Sequence, residues 1–123
     1  MFTTENHEEL MQEILAVDNS LSTDQLEEIA EYLEVHDMQD DYFAISEIII
    51  DGYEAFEVLQ RQDYSLYVGI EDNEALGEFV VNEGLWGEVP ENLIPYIDYE
   101  AIGRDGVYNS NGGFTDYGFL ELY

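Results

Sequence analysis

Carboxylates are the reactive groups that this sequence offers in quantity. Thirty Asp and Glu stand against two Arg and no Lys, which gives a formal net charge of −28. Two carboxylates can act as general acid and base, but pairs are so numerous here that none is singled out without geometry. The absence of Cys excludes thiol catalysis, and a glycine-rich phosphate loop or a Gly-x-Ser-x-Gly elbow is also absent. We therefore predict no catalytic residue, no cofactor and no enzymatic activity.

The spacing of residues also argues against a metal site. The run from Asp18 begins like a calcium loop, but its sixth position is Thr23 instead of Gly and its twelfth is Ile29 instead of Glu. His7 and His36 lack a partner at metal-binding spacing, so we interpret them as surface histidines on acidic helices. The carboxylates are therefore expected to act together as a charged surface.

The charge density expected for the folded chain approaches that of nucleic acid. Duplex DNA carries one charge per ~1.7 Å of axis, so a charge of −28 corresponds to about 14 base pairs. A folded chain of this mass exposes on the order of 6,800 Å², or one net charge per roughly 240 Å², against roughly 100 Å² for DNA. Carboxylates gathered on one side, or joined across a dimer, would match DNA. The expected partner is a basic DNA-binding protein, and repulsion excludes direct binding of nucleic acid.

Seventeen carboxylates, called here the acidic surface, are the predicted contacts to that partner. A charge run is usually a solvated face, but the near-total loss of Lys and Arg exceeds what solubility requires. Glu27 and Glu31 lie at i and i+4, where like charges repel by a few tenths of a kcal/mol, so charge is favoured there over helix stability. The acidic surface comprises Glu8, Glu9, Glu13, Asp24, Glu27, Glu28, Glu31, Glu34, Asp40, Asp41, Glu47, Asp51, Glu54, Glu57, Asp72, Glu74 and Glu78.

Helical periodicity predicts a small bundle in the first half of the chain. Ser22 and Gln25 form a capping box in front of a buried stripe that runs from Leu26 to Leu33. Gly52 is expected to stop the helix before it, and the β-branched run 48–50 could instead be a strand. The expected helices are 6–17, one from Ser22 onwards, one that Asp40 and Asp41 begin, and 53–60.

The second half is predicted to combine strands with short helices. Alternating apolar residues predict a strand over 65–70, and Asp72 caps a helix that ends near Gly84. Pro90 suits the first turn of a short helix, and Pro95 must either interrupt that helix or begin another one. Residues 98–105 are expected to form one or two further turns. Turn residues in 109–118 predict a hairpin that pairs with the first strand. The expected fold is α+β, with an acidic helical domain over 1–62 and a three-stranded antiparallel sheet with helices over 63–123.

One run carries several residue types that are scarce elsewhere. Residues 84–105 contain the single Trp, both Pro and one of the two Arg. Their pattern is Leu85-x-x-x-Val89-Pro90, then Tyr96-x-Asp98-Tyr99-x-Ala101 and Gly103-Arg104-Asp105. It resembles the C-terminal signature of the ArdA antirestriction family, in which the segment that matches 85–98 is called the antirestriction motif. The likeness is strongest over 66–123, and 1–62 resembles the family's central domain only in helix content and acidity.

This run has two readings from its residues. Its apolar side chains form either a core cluster or, since they exceed what one small domain can bury, part of a subunit interface. Arg104, with Asp105, is expected to be a structural anchor through a bidentate ion pair. The interface candidates are Leu85, Trp86, Val89, Pro90, Leu93, Tyr96, Ile97, Asp98 and Tyr99.

The resemblance implies a phage or mobile-element protein that imitates bent B-form DNA and occupies the DNA groove of type I restriction-modification enzymes. It also implies a homodimer through the C-terminal domain and, since Met1 leads straight into the first helix, loss of the family's N-terminal domain. The residues alone leave open an inhibitor of another nucleic-acid machine, such as a CRISPR effector, or a general acidic module for basic proteins. With no long apolar run and no basic leader, we expect a cytoplasmic protein without a membrane span.

Overall fold

The computed structural model describes residues 4–85 and 87–123, and in this part of the chain the α+β prediction is confirmed. These residues form six α-helices, one 3-10 helix and a three-stranded antiparallel sheet. The helices are α1 (Thr4–Val17), α2 (Thr23–His36), α3 (Gln39–Ile48), α4 (Gly52–Arg61), α5 (Asn73–Asn82), the 3-10 helix (Glu91–Tyr96) and α6 (Tyr99–Tyr108). The strands are β1 (Tyr64–Tyr67), β2 (Gly113–Thr115) and β3 (Gly118–Leu122).

The chain divides into two compact units, which we call the helical unit (Met1–Tyr64) and the mixed unit (Ser65–Tyr123). Within the helical unit, the core is built from the apolar stripes of α1 to α4. On α2 the predicted stripe is buried, from Leu26 to Leu33, and the other three helices contribute fully buried residues such as Ile14, Ile45 and Phe56. None of the helices in residues 4–85 and 87–123 is long and apolar enough to cross a membrane.

The predicted capping box at the start of α2 is confirmed. The Ser22 hydroxyl accepts a hydrogen bond from the backbone N–H of Gln25, and the Gln25 side chain accepts one from the backbone N–H of Ser22. Two otherwise orphaned donors are thereby satisfied. The boundary between α1 and α2 is thus fixed by local side chains.

Gly52 begins α4, so the prediction that it stops a helix was wrong. Asp51 caps α4 by accepting from the N–H groups of Tyr53 and Glu54. The N–H of Gly52 donates to the carboxylate of Asp18, and its carbonyl accepts from the buried Tyr42 hydroxyl. A Cβ at Gly52 would lie 3.0 Å from both Asp18 Cβ and the Tyr42 hydroxyl oxygen, so close packing explains the glycine.

The run 48–50 does not form a strand. Helix α3 extends to Ile48, and Ile49 takes an extended conformation as its C-cap residue. Ile49 and Ile50, two of the three residues of the run, therefore lie outside the helix. The alternative strand interpretation was wrong because α3 ends at Ile48 and Asp51 caps α4, which leaves two residues between the helices, too few for a strand.

In the mixed unit, β1 is shorter than the predicted strand over 65–70. It ends at Tyr67, and Val68 is exposed in the following turn. Gly69 has a φ of 89°, a left-handed conformation that glycine adopts without a Cβ penalty and that a strand does not contain. The apolar alternation continued past this turn, which made the predicted strand too long.

The predicted closing hairpin and its pairing with the first strand are confirmed. β2 and β3 pair antiparallel with Phe114 opposite Phe119, and the strand order is β1-β3-β2. The ring of Tyr67 lies 5.1 Å from that of Phe79 and 6.2 Å from that of Phe119, measured between centroids. This aromatic cluster packs α5 onto one face of the sheet.

Helices α5 and α6 cross at two glycines. A Cβ on Gly77 would lie 1.8 Å from the carbonyl oxygen of Tyr99, and one on Gly103 would lie 1.7 Å from that of Asn73. Real Cβ atoms never approach oxygen so closely, so each glycine lets one helix contact the backbone of the other. At these two points the helices therefore pack backbone against backbone.

The segment with both prolines is a 3-10 helix between α5 and α6. Pro90 precedes it as the N-cap residue, and Pro95 lies inside it, so the prediction that Pro95 interrupts or restarts the helix was wrong. In a six-residue 3-10 helix one missing N–H costs one i→i+3 bond, and the flanking bonds from Leu93 to Pro90 and from Ile97 to Ile94 remain. Helix α6 runs on to Tyr108, beyond the predicted turns over 98–105.

Candidate partner-binding surface

Five carboxylates lie on one face of α2, opposite its buried stripe. From Asp24 to Glu34 the helix rises ~15 Å, and at 100° per residue the five side chains fall within an arc of about 120°. They give one negative charge per ~4 Å, against one phosphate per 3.4 Å along one strand of B-form DNA. The five are Asp24, Glu27, Glu28, Glu31 and Glu34. This row combines charge with a rigid scaffold.

The structure leaves most of the acidic surface in contact with solvent. All of its members are exposed except Glu34 and Asp41, which are half-buried. Asp41 accepts a hydrogen bond of 2.5 Å from the hydroxyl of Tyr64, and Glu34 contacts His7. These two carboxylates therefore take part in packing within the helical unit.

His7 links α1 to α2 through both of its ring nitrogens. Nδ1 lies 2.7 Å from Glu34 Oε1, and Nε2 lies 3.1 Å from Glu27 Oε2. The carboxylates of Glu34 and Glu27 raise the pKa of the imidazole above its ordinary value, because they bind the protonated ring. His7 thus makes specific contacts between two helices, whereas the sequence indicated only a surface position. His36 is exposed.

Several other members of the acidic surface have structural partners as well. Asp51 and Asp72 cap α4 and α5, and the Asp72 cap was predicted. Glu28 accepts a hydrogen bond of 2.9 Å from the Tyr53 hydroxyl, which raises the pKa of that tyrosine. Glu57 pairs with Arg61. Such contacts fix carboxylates in place without removing their charge.

The other carboxylates, Glu47 excepted, make no hydrogen bond or ion pair within residues 6–85 and 87–123. Their negative charge is therefore available to a partner, and no arrangement of protein donors has to be broken before binding. These carboxylates are Glu8, Glu9, Glu13, Asp24, Glu31, Asp40, Glu54, Glu74 and Glu78.

The two arginines neutralise little of this charge. Arg61 lies 3.1 Å from Asp63 and 3.7 Å from Glu57. Within the described residues Arg104 makes one ion pair, at 3.8 Å with Glu100, and both side chains are more than 60% exposed. Exposed pairs of this kind contribute up to about 1 kcal/mol. The contact with Glu100 is not bidentate, and the anchor role of Arg104 with Asp105 stays a prediction.

Some interface candidates of the 84–105 run have exposed side chains, and others are half-buried. Leu85, Leu93 and Tyr96 are 64%, 49% and 84% exposed. Asp98 caps α6 by accepting a hydrogen bond of 3.1 Å from the N–H of Ala101. Trp86 lies outside the described residues. Val89, Ile97 and Tyr99 are half-buried, and Pro90 is exposed.

A cleft of about 300 Å³ between α2 and α4 was not predicted. Its walls include Tyr32, His36 and Phe56, with Glu28 and Glu31 at its edge. On α2 its residues follow i, i+3, i+4, i+7 and i+8 spacing, which is a second helical stripe beside the buried one. That spacing was readable in the sequence, but the contribution of Phe56 from α4 was not. Among the residues that the structure describes, no group of His, Asp or Glu could hold a metal ion.

The family model of the antirestriction protein ArdA matches residues 2–121. The match includes the helical unit, where the sequence had indicated likeness only in helix content and acidity. No curated protein matches the chain. Since the family model covers nearly its whole length, the chain belongs to the ArdA family of antirestriction proteins.

Proposed function

We propose that this protein inhibits a type I restriction-modification enzyme by occupying its DNA-binding groove as a mimic of DNA. The observation that carries the proposal is the row of five carboxylates on α2, four of them exposed and Glu34 half-buried against His7, with one charge per ~4 Å along the helix axis. Membership of an antirestriction family supports a restriction enzyme as the target. The basic side chains that hold phosphates in such a groove are the groups that the carboxylates would meet.

The mechanism is competitive and requires no chemical step. Carboxylates on a helix keep their spacing, so they bind a row of Lys and Arg side chains without being ordered first. Binding releases the anions held by the basic groove and the cations held by the acidic surface. Affinity should therefore fall as salt rises, as it does for DNA itself. The charge complementarity also speeds association at low salt.

The direct test is competition between this protein and DNA. A labelled duplex that contains the recognition site is bound to a purified type I enzyme, and the protein is titrated in at physiological salt. We expect complete displacement of the duplex and loss of cleavage in parallel. Simultaneous binding of both, without mutual loss of affinity, would rule out mimicry. Equal binding to histones would favour a general acidic module.

Matched variants separate the row on α2 from charge in general. Asp24→Asn with Glu27→Gln removes two charges from the row, and Glu71→Gln with Glu83→Gln removes two exposed charges that lie outside both the acidic surface and the 84–105 run. We expect the first pair to weaken inhibition by about tenfold, on the scale of two charged contacts, and to reduce its salt dependence. The second pair should change inhibition less than twofold. Equal effects would show that net charge alone is responsible.

We also propose that the protein forms a homodimer through the 84–105 run. Exposed leucine and tyrosine side chains clustered in one short run are typical of a subunit interface. Leu85, Leu93, Ile94 and Tyr96 are the members with large exposed surfaces. A dimer would present two acidic surfaces to one groove, and so lengthen the mimicked duplex.

Sedimentation velocity tests the dimer. Leu93→Asp should shift the protein to monomer, because a carboxylate cannot be buried in an apolar interface without a partner. Ile50→Asp is the control, since Ile50 is 80% exposed and lies in the helical unit; it should leave the sedimentation coefficient unchanged. A wild-type protein that stays monomeric at high concentration would contradict the proposal.

A further inference from the structure

The cleft between α2 and α4 differs from its acidic surroundings because its walls are aromatic. The ring of Tyr32 lies 4.2 Å from that of His36, between centroids, and is tilted against it by 40°. It also meets Phe56 edge-on at 5.3 Å. Because Phe56 is fully buried, it holds Tyr32 in place from behind. The cleft is therefore a preformed aromatic surface with two acidic residues, Glu28 and Glu31, at its edge.

Two carboxylates border these rings. Glu28 is oriented by the hydroxyl of Tyr53, which donates to one of its oxygens and leaves the other available. Glu31, one turn further along α2, is exposed and makes no hydrogen bond or ion pair with the described residues. Arg61, the arginine of the helical unit, is engaged by Glu57 and Asp63. No arginine of the helical unit therefore neutralises the cleft.

This combination of groups fits a planar cation. A guanidinium group stacks on aromatic rings and pairs with carboxylates through two parallel N–H donors, and it is weakly hydrated. An ammonium group is compact and strongly hydrated, so it gains less from an aromatic wall. Val35, which is 71% exposed at the same cleft, offers an apolar surface to the methylene stem of a bound side chain.

We propose that the α2–α4 cleft binds the guanidinium group of an arginine side chain of the basic partner. The inference rests on the proposed function and adds a contact that imitation of phosphate does not supply. A phosphate accepts either lysine or arginine, whereas stacking on Tyr32 and His36 favours arginine. The cleft would therefore fix the position of one partner arginine, while the row on α2 supplies long-range attraction.

The first test uses two small probes, N-acetyl-arginine amide and N-acetyl-lysine amide, titrated separately and followed by NMR. The arginine probe should shift the ring resonances of Tyr32 and His36, and its dissociation constant should be at least about threefold lower than that of the lysine probe. Equal affinity for both probes would overturn the proposal. So would shifts spread evenly over the acidic helices.

Variants then assign the preference to the cleft. Tyr32→Leu keeps an apolar side chain but removes the aromatic face, so binding of the arginine probe should fall to the level of the lysine probe. His36→Ala, at an exposed position, gives the same test if Tyr32→Leu unfolds the helical unit. Glu31→Gln should weaken the arginine probe more than Glu13→Gln, which removes one exposed charge from α1. Retention of the arginine preference in both aromatic variants would contradict the assignment.

The two proposals fail separately. If DNA still displaces the protein from its target while the probes show no preference for arginine, the cleft proposal is wrong and mimicry stands. If the cleft prefers arginine but DNA and the protein bind the target together, the mimic proposal is wrong. In that case the cleft remains a site for arginine, and the target surface lies outside the DNA groove.

Discussion

The helical unit and the mixed unit treat their apolar residues in opposite ways. Of the described hydrophobic residues that are buried, fourteen lie in the helical unit and three in the mixed unit. Of the ten large hydrophobic residues that are exposed in the described part of the chain, seven lie in the mixed unit. The helical unit therefore resembles a small domain with its own core, whereas much of the mixed unit's apolar surface is left for other contacts.

The two units also differ in net charge, although less sharply than in the burial of apolar residues. Up to Tyr64 there are eighteen Asp and Glu against one Arg, and from Ser65 onwards there are twelve against one, which gives formal charges of −17 and −11. A well-packed core lets the helical unit carry the larger charge, because burial offsets self-repulsion. We propose a division of roles, in which the helical unit presents most of the charge and the mixed unit supplies the dimer interface.

The sharpest test of this comparison is the same truncation in each unit. Leu33→Ala removes a fully buried side chain from the helical unit and should reduce the free energy of unfolding by about 2–5 kcal/mol. Leu93→Ala, at a 49% exposed position, should cost less than about 0.5 kcal/mol in dilute protein. Chemical denaturation measures both. Equal costs would remove the distinction between a core and an assembly surface.

The mixed unit has few buried side chains, so the close contact between α5 and α6 should contribute much of its stability. Gly103→Ala forces a Cβ against the carbonyl of Asn73 and should destabilise the mixed unit by about 1–3 kcal/mol. Gly106→Ala, in the same helix, places its Cβ 3.5 Å from Leu76 and should stabilise by up to about 1 kcal/mol. Amide hydrogen exchange should show loss of protection confined to the mixed unit. Uniform loss in both units would indicate one cooperative structure.

Local chemistry decided which parts of this fold were predictable. The predictions of the capping box at Ser22 and Gln25 and of the cap at Asp72 were correct, because each cap depends on atoms three residues apart. The prediction that Gly52 stops a helix was wrong because its role is set by Asp18, 34 residues away, and by Tyr42. Helices whose boundaries depend on distant contacts are therefore the ones that sequence patterns misplace.

In the candidate site, too, the features set by local sequence were predictable and those set by distant contacts were not. The row of carboxylates on α2 could be predicted, since helical periodicity alone puts Glu27 and Glu31 on the face opposite Ile29. The cleft could not, because it exists only where Phe56 of α4 lies behind Tyr32 of α2. The link between His7 and Glu34 was missed for the same reason, as it joins residues 27 positions apart.

A smaller effect is expected at the polar contacts that support the helical unit. The carboxylate of Asp18 accepts hydrogen bonds from the hydroxyl of Ser20 and from the N–H groups of Ser20 and Gly52, and these donors lower its pKa. Asp18→Asn should cost about 1–2 kcal/mol at pH 7, because an amide is the weaker acceptor. In the wild type this contribution is lost as pH falls through the lowered pKa. A pH-independent difference between the two proteins would contradict it.

The smallest expected effect is a change of stability with pH at His7. Because Glu34 and Glu27 raise its pKa in the folded state, the contact contributes fully below the ordinary pKa of about 6.5 and is lost as pH rises through the raised value. The helical unit should therefore lose up to about 1 kcal/mol between pH 6 and pH 9. His7→Gln should abolish this slope, whereas His36→Gln, at an exposed position, should retain it. Thermal melts at constant ionic strength measure the difference, and a slope that persists in His7→Gln would mean that other groups control how α1 is held against α2.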